Sequence, residues 1–493
     1  MYKTIADMMQ PDKDYPARAN RQILLNSVLN GTLYDVFDWE YHEDRDYRNA
    51  FRPEHLRAPS IRTGLAMARG VVDTAVGFCF GDGHFPSIDS DDDDVRKTLE
   101  DLVVEGRLVA RMREAALIGS TGSVAVRFRV LRGRPFFDCF DTTFLTPTWD
   151  AEAPDTLLTL TEKRKVIGSE LASQGYAIDD DMMQTLHWFQ RVWDTAGEWW
   201  YQPWPVPQLT DKPAIPQIDD TRSVSHDLGI CPWVWVHNLP GGDEFDGACT
   251  FEQGITSLIQ QDYTASRISR ALKYSSDPLL VVKEDDYLTD GEVKKAGGEG
   301  LLLGKEGDAK LLEMSGNSTK ASLDFLTNQR GMALNSMHGV QADPEKIAMA
   351  VSGLALERLY EPMLSLASDM RSSYGEYGLL TLMRMFLNAS QKMQIKVRGK
   401  VVGKLDVDAR LGLKWGHWFA PTSDDRVKLA TANQIAIAAG TMSRETAVKN
   451  SAGINDITSV EAEVALIGQD IVAEDARAVK LAAQTQAKET LTS

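Results

Sequence analysis

The sequence predicts an α+β protein, mainly helical, made of several packed units. Three observations carry this expectation. The chain has 493 residues, well beyond what a single hydrophobic core serves, so two to four units are expected. Its last half is dominated by long stretches with apolar residues at helical spacing. A block between residues 123 and 201 instead alternates apolar and polar residues and is rich in Trp, which is the pattern of strands. A balance of 43% hydrophobic and 25% charged residues is that of a folded chain.

Taken in order, residues 1–60 are polar and aromatic with mixed charge, and read as an arm that packs on something else. Ile61 to Phe80 reads as an apolar helix closed by Gly81-Asp82-Gly83. The acidic run Asp89 to Asp94 lacks the glycine that a calcium loop needs at its sixth position, and reads as the solvated start of a helix, where the dipole favours acids. Thr98 to Ile118 is expected as one helix. Val124, Val126, Phe128 and Val130 alternate with Ala125, Arg127 and Arg129, a half-buried strand that Arg132-Gly133-Arg134-Pro135 turns back into Phe136–Phe140. Further strands are expected at 156–166 and 185–201. Trp188, Trp193, Trp199, Trp200 and Trp204 in this stretch form either a glycan-binding face or a β layer buried against a neighbouring copy, the second being preferred.

Gly247 to Lys273 is expected as one long helix whose apolar residues, Ile255, Leu258, Ile259 and Ile268 among them, form only a narrow stripe. A small unit follows at 277–315, with a strand at Pro278–Val282, a capping box at Thr289 and Glu292, and a hairpin joining Leu301–Leu303 to Lys310–Met314. It holds five Lys and ten Asp or Glu. A second thin-striped helix, with Leu323 and Leu326 on its apolar face, is expected from about Ser318 to His338. Gly339–Gly353 reads as a loop. The helix expected from Leu354 contains Pro362 and should kink there. Short strands near 393–403 and 411–419 precede helices at Ser423–Ala439, after Ser443, and from the capping box Thr458/Glu461 towards residue 488.

Charge and chemistry exclude several classes. A formal net charge of −18 argues against a conventional DNA clamp, which needs a basic face. The four Cys form no CxxC pair, so a zinc ribbon or a thioredoxin-type site is excluded, and a reducing compartment is expected. No run approaches the length of apolar residues that crosses a bilayer, and Met1–Asn20 has no apolar core, so neither a membrane span nor a signal peptide is expected. Gly304-Lys305-Glu306 fails the phosphate-loop pattern, HExxH and GxSxG are absent, and the eight His are scattered. No catalytic, cofactor or metal constellation is expected.

An ordered series of motifs across about residues 60–475 resembles the bacteriophage portal (head-to-tail connector) family, of the type with an α-helical crown. The motifs are Ala115-Ala-Leu-Ile-Gly119 followed by Val124–Val130; Leu228-Gly-Ile-Cys-Pro-Trp-Val-Trp-Val-His-Asn238 before the first long helix; the long helix, small tip, long helix plan; Ser352-Gly-Leu-Ala-Leu356; and Phe419-Ala-Pro-Thr-Ser-Asp-Asp425 followed by Ala438-Ala-Gly-Thr-Met-Ser-Arg-Glu-Thr446. The opening of the long helix, Gly247-Ala-Cys-Thr-Phe-Glu252, departs from the family's usual Gly-x-Ser-Asp. The resemblance implies an N-terminal arm (1–60), a wing of helices and the Trp-rich β layer (61–246), stem helix 1 (247–276), a clip (277–315), stem helix 2 (316–338), a tunnel loop (339–353), a second wing segment with a kinked helix and strands (354–420) and a helical crown (421–493).

It further implies a ring of about twelve copies at one capsid vertex of a virion, assembled in a bacterial cytoplasm. The ring would pass double-stranded DNA without reading its sequence, contact the major capsid protein and a scaffold, and dock the terminase large subunit and later a head–tail adaptor. It would perform no chemistry. On this reading Glu299, Lys305, Glu306, Asp308 and Lys310 are clip docking candidates. Gln341, Asp343, Glu345, Lys346 and Met349 are channel candidates, with Lys346 either touching phosphate or pairing with Asp343 or Glu345. Ile255, Leu258, Ile259, Ile268, Leu323 and Leu326 pack the stem. The residues read alone leave one alternative from another class, a carbohydrate-active enzyme or glycan-binding protein using the Trp-rich strands and nearby carboxylates.

Overall fold

The computed structural model describes residues 12–36, 64, 66–81, 83–207, 215–226, 228–243, 245–275, 279–283, 308–312, 317–340, 353–419, 422–452, 460–473 and 477. The protein is mixed helix and sheet, an α+β fold. It divides into two compact units, Met1–Gln341 with Ser365–Lys414, and Ala342–Leu364 with Trp415–Ser493.

In the first unit, helix α1 (Ala17–Leu29) leads, after a short turn at Leu33–Val36, to α2 (Met67–Phe80). Strand β1 (Ser87–Ser90) enters α3 (Asp93–Glu105), whose N-terminus Asp92 caps by accepting from the amides of Asp94 (2.8 Å) and Val95 (3.2 Å). The acidic run is thus a capped helix start. The single helix expected over Thr98–Ile118 is two, because Gly106 and Arg107 separate α3 from α4 (Leu108–Gly119). Arg107 sits in the left-handed region (φ 51°), and a Cβ at Gly106 would lie 2.7 Å from the Phe137 ring.

β2 (Ser123–Leu131) and β3 (Arg134–Asp141) form the expected hairpin. β2 is buried on both faces from Ser123 to Phe128, not half-buried. The cause is its position between two layers, with α4 on one side and a second sheet on the other. That second sheet has the order β4 (Leu145–Trp149), β5 (Leu157–Ile167), β6 (Leu186–Trp193), β7 (Gly197–Trp200), and, after β8 (Trp204–Pro205), which pairs with β6, ends on β9 (Val224–Ser225). β10 (Trp233–His237) joins β2 to complete a three-stranded sheet in the order β10-β2-β3. Ala125, Trp233 and Trp235 from this sheet pack against Leu145, Leu160 and Trp193 from the other.

After the two-stranded β11 (Leu239–Gly242) and β12 (Gly247–Ala248), helix α5 runs Ile255–Ser275, starting later than expected because β12 and a turn at Glu252–Gly254 take up its first residues. β13 (Leu279–Lys283) pairs antiparallel with β14 (Asp308–Leu312), Leu279 opposite Leu312. The strand at 308–312 thus pairs with the strand after α5; Leu301–Leu303, expected as its hairpin partner, and the capping box at Thr289 and Glu292 lie outside the described residues. α6 (Asn317–Ser336) returns beside α5.

The helix expected from Leu354 is broken at Tyr360 into α7 (Gly353–Leu359) and α8 (Glu361–Met370). Pro362 has no N–H to give the carbonyl four residues back, so the break falls just before it. α8 continues through π-helical turns at Arg371–Leu379 into α9 (Leu380–Lys392). The hairpin of β15 (Lys396–Val397) and β16 (Lys400–Val401) follows, and β17 (Leu411–Lys414) pairs with β1.

In the second unit, Tyr360 stacks at a tilt on Phe419, their ring centroids 5.7 Å apart. α10 (Ser423–Ala438) opens with a reciprocal capping box between Thr422 and Asp425 and closes at Gly440 (φ 70°). Asn433 ties it to α11 (Arg444–Ala452) by donating to Ser451 Oγ at 2.8 Å. A further helix covers 460–473.

Candidate functional site: the helical hairpin and its base

α5, the β13/β14 ribbon and α6 form an antiparallel helical hairpin. A Cβ at Gly254, just before α5, would lie 2.4 Å from Met337 Cγ, just after α6, so the open ends of the hairpin are in contact. Of the six residues expected to pack the stem, Ile255, Leu258, Ile259 and Ile268 are buried. The buried face is wider than the expected stripe, since Gln261, Tyr263 and Ser266 are buried too. α6 differs along its length. Ala333, Leu334 and Met337, near the base, are buried, but Leu326 is only half-buried and Leu323 is 46% exposed. Leu323 is therefore less covered than expected for a stem-packing residue: among the described residues, α5 packs along α6 and the turn at Glu252–Gly254 covers its base. Phe325 (51%) and Met332 (62%) are exposed on the same helix.

The base is held by two buried polar clusters. In the first, the Gly122 carbonyl accepts from the amides of Asn238 and Gly247, each at 2.9 Å, while Asn238 Nδ2 donates to Ala248 O (2.8 Å) and Thr250 Oγ1 (2.9 Å). Tyr374, fully buried in the π-helical turns, donates its hydroxyl to Asn238 Oδ1 at 2.8 Å. Burial pushes that phenol well above its ordinary value, which keeps it a donor. The contact needs Gly119, where a Cβ would lie 2.2 Å from the Tyr374 hydroxyl.

In the second cluster, Asp246 has a fully buried side chain and takes a two-pronged contact from Arg18, both N···O distances 2.8 Å. Arg18 also donates to the carbonyls of Thr142 (2.8 Å) and Leu145 (3.0 Å) and lies 5.3 Å over the Trp235 ring. Gln22 (3.1 Å) and Ser123 donate to the same carboxylate. Burial works to raise the Asp246 pKa, but Arg18 and the Ser123 and Gln22 donors outweigh it and hold the carboxyl below its ordinary value. Arg21 pairs with Glu252 at 2.6 Å, at the turn into α5, and Tyr34 donates to Asp262 at 2.9 Å. Residues 17–34 therefore pack on their own chain, at the base of the hairpin, and Asp12 and Asp14 pair with Lys165 of β5; arm residues 1–11 and 37–60 lie outside the described residues. No local signal announces this clamp, because Arg18 and Asp246 are 228 positions apart.

The Trp-rich layer is partly internal. Trp193, Trp233 and Trp235 are fully buried, and Trp188 nearly so. Arg191 covers Trp193 and Trp200 at 4.8 and 4.6 Å, and Lys163 covers Trp188 at 4.6 Å. The preferred expectation of a layer buried against a neighbouring copy is corrected for Trp188 and Trp193, which are covered within one chain, whereas Trp199, Trp200 and Trp204 are half-buried.

Glu299, Lys305 and Glu306, and Gln341, Asp343, Glu345, Lys346 and Met349, lie outside the described residues. Asp308 and Lys310 lie on β14, with backbone partners Lys283 and Val281. The four Cys are free thiols, and burial pushes the thiols of Cys79, Cys231 and Cys249 up to about 12. Among the described residues no cluster of three His, Cys, Asp or Glu could hold a metal, and no helix is long and apolar enough to cross a membrane. Comparison with protein-family models and with curated proteins finds no match.

Proposed function

We propose that this chain is the subunit of a portal-type ring, a structural channel for double-stranded DNA at a capsid vertex and a docking platform for a packaging motor and then a head–tail adaptor. The observation that carries the reading is the helical hairpin. It is clamped at its base, ends in a small ribbon, and leaves Leu323, Phe325 and Met332 in water on α6. Exposed apolar residues on one long helix call for a neighbour, and a closed ring of identical copies supplies one with no surface left over. An acidic subunit suits a wall past which phosphate slides without sticking. The sequence motifs lie in the order of the portal family. In this reading the Asn238–Tyr374 and Arg18–Asp246 clusters set the angle at which the hairpin leaves the body.

The test is the size and shape of the purified protein. Sizing and negative-stain images are expected to give rings with a central hole and a mass many times 54.7 kDa. Monomers or dimers alone, at every concentration and salt tried, would count against it.

A further inference from the structure

On an acidic chain, one small face is strongly basic. Residues 392–404 carry Lys392, Lys396, Arg398, Lys400 and Lys404 and no acid. Lys396, Arg398 and Lys400 lie on the β15/β16 hairpin, exposed, and a second exposed hairpin tip, Arg132-Gly133-Arg134 between β2 and β3, lies beside it. The two are joined directly, since the Lys396 amide donates to the Gly133 carbonyl at 2.7 Å.

Both tips are two-residue turns with positive φ at both central positions: Arg132 (51°) with Gly133 (76°), and Arg398 (49°) with Gly399 (78°). Such turns select Asn or Asp at the first position and Gly at the second. Here the first position is Arg in both, a long cation in a backbone conformation that L-residues seldom adopt. The fold alone does not require it. Two nearby acids neutralise part of the face: Arg398 pairs with Asp101 and Arg134 with Glu105, each at 2.9 Å. Arg132, Lys396 and Lys400 have no acidic partner among the described residues.

We propose that these paired hairpin tips, with Arg132, Lys396, Arg398 and Lys400, are a contact site for the phosphate backbone of duplex nucleic acid. Neither two-residue turn carries an aromatic residue, and Phe136, next to the first tip, is half-buried with Arg129 and Arg134 over its ring at 5.9 and 5.7 Å. Single strands are held by stacking on aromatic rings, and protein interfaces are enriched in aromatics and poor in Lys. A Lys- and Arg-rich face whose nearest ring in sequence is already covered fits backbone phosphates, which attract charge and offer no flat surface at the groove edge. Contact would be independent of sequence and sensitive to salt. It goes beyond the ring reading and needs no ring, because the face lies on each copy.

The test is binding of the full chain to a fluorescein-labelled 20-base-pair duplex. Four neutralised phosphates give a salt slope near −3.6, so affinity should fall about a hundredfold between 50 and 200 mM salt. Arg132→Asn with Arg398→Asn puts the residue the turn favours at each tip, so the fold should hold while two contacts go. The slope should then flatten by about 2. Lys396→Gln with Lys400→Gln, which leaves both turns untouched, should do the same. Binding and slope unchanged in both folded double variants would overturn the proposal. So would tighter binding of a poly-glutamate peptide than of the duplex, which would make the partner an acidic protein.

Discussion

Arg18→Ala should destabilise the first unit by about 3 kcal/mol, the lower end of the cost of stranding a buried charge. The structure sets the figure. The substitution removes both contacts to Asp246 and the two donations to Thr142 and Leu145, while Ser123 and Gln22 still donate to the carboxylate, which keeps the loss from the top of the range. The assay is urea unfolding followed by Trp fluorescence, to which Trp235 under the Arg18 guanidinium contributes. A double-mutant cycle with Asp246→Ala should give a coupling of at least about 1 kcal/mol, since the two side chains share one contact. The pH dependence has a fixed sign. The folded Asp246 value is below 3.8, so its contribution is fully present above that pH. As pH falls, the unfolded carboxyl takes its proton first, and the contribution is lost on the way down to the folded value. Arg18→Ala should remove this part of the acid sensitivity. A loss under about 0.5 kcal/mol, or additive single variants, would refute the reasoning.

Tyr374→Phe should cost about 1–3 kcal/mol in a thermal or urea melt, since it leaves the buried Asn238 Oδ1 without its donor. Gly119→Ala should cost at least as much, because its methyl would lie 2.2 Å from the same hydroxyl and must displace the ring or the helix. Phe325→Asp with Met332→Asp, seven residues apart and so on one face of α6, should leave the melt of an isolated copy within about 0.5 kcal/mol, as both are exposed, yet abolish rings in negative stain. Rings as abundant as in the parent would show that this face of α6 is not the seam between copies.

Local signals in the sequence placed the elements that depend on neighbours in sequence. The hairpin at 123–141 follows from strict alternation on either side of Arg132-Gly133, and the ends of α10 from Ser423 and Gly440. Errors arise where a distant residue decides. Thr98–Ile118 has an unbroken helical pattern, and only the Phe137 ring against Gly106 shows why it splits. Arg127 looks like a solvent-facing member of an alternating strand, but it is 9% exposed, lying 5.1 Å from Phe140 and 5.6 Å from Trp233 beneath the second sheet. The narrow stripe of α5 was legible from Ile255 to Ile268, whereas burial of Gln261 was not, because a polar residue carries no periodic signal when a neighbouring element covers it.

The gradient of burial along α6 bears on how the hairpin works. At its base Met337 and Ala333 are fully buried, and four residues beyond the exposed Leu323 the exposed Thr327 bonds only back to its own helix, its hydroxyl donating to the Leu323 carbonyl at 3.0 Å. Among the described residues, α5 is the element of its own chain that packs along α6 beyond the base. Leu323, Phe325 and Met332 are already about half covered, so completing their burial against neighbouring copies would contribute only about 1 kcal/mol each. That sum is comparable with what one polar cluster at the base supplies. On the proposed ring reading, the base fixes where the hairpin points, and contact between copies fixes how firmly it stands. Loss of a base cluster should disturb the fold before assembly, and loss of the α6 face should disturb assembly alone.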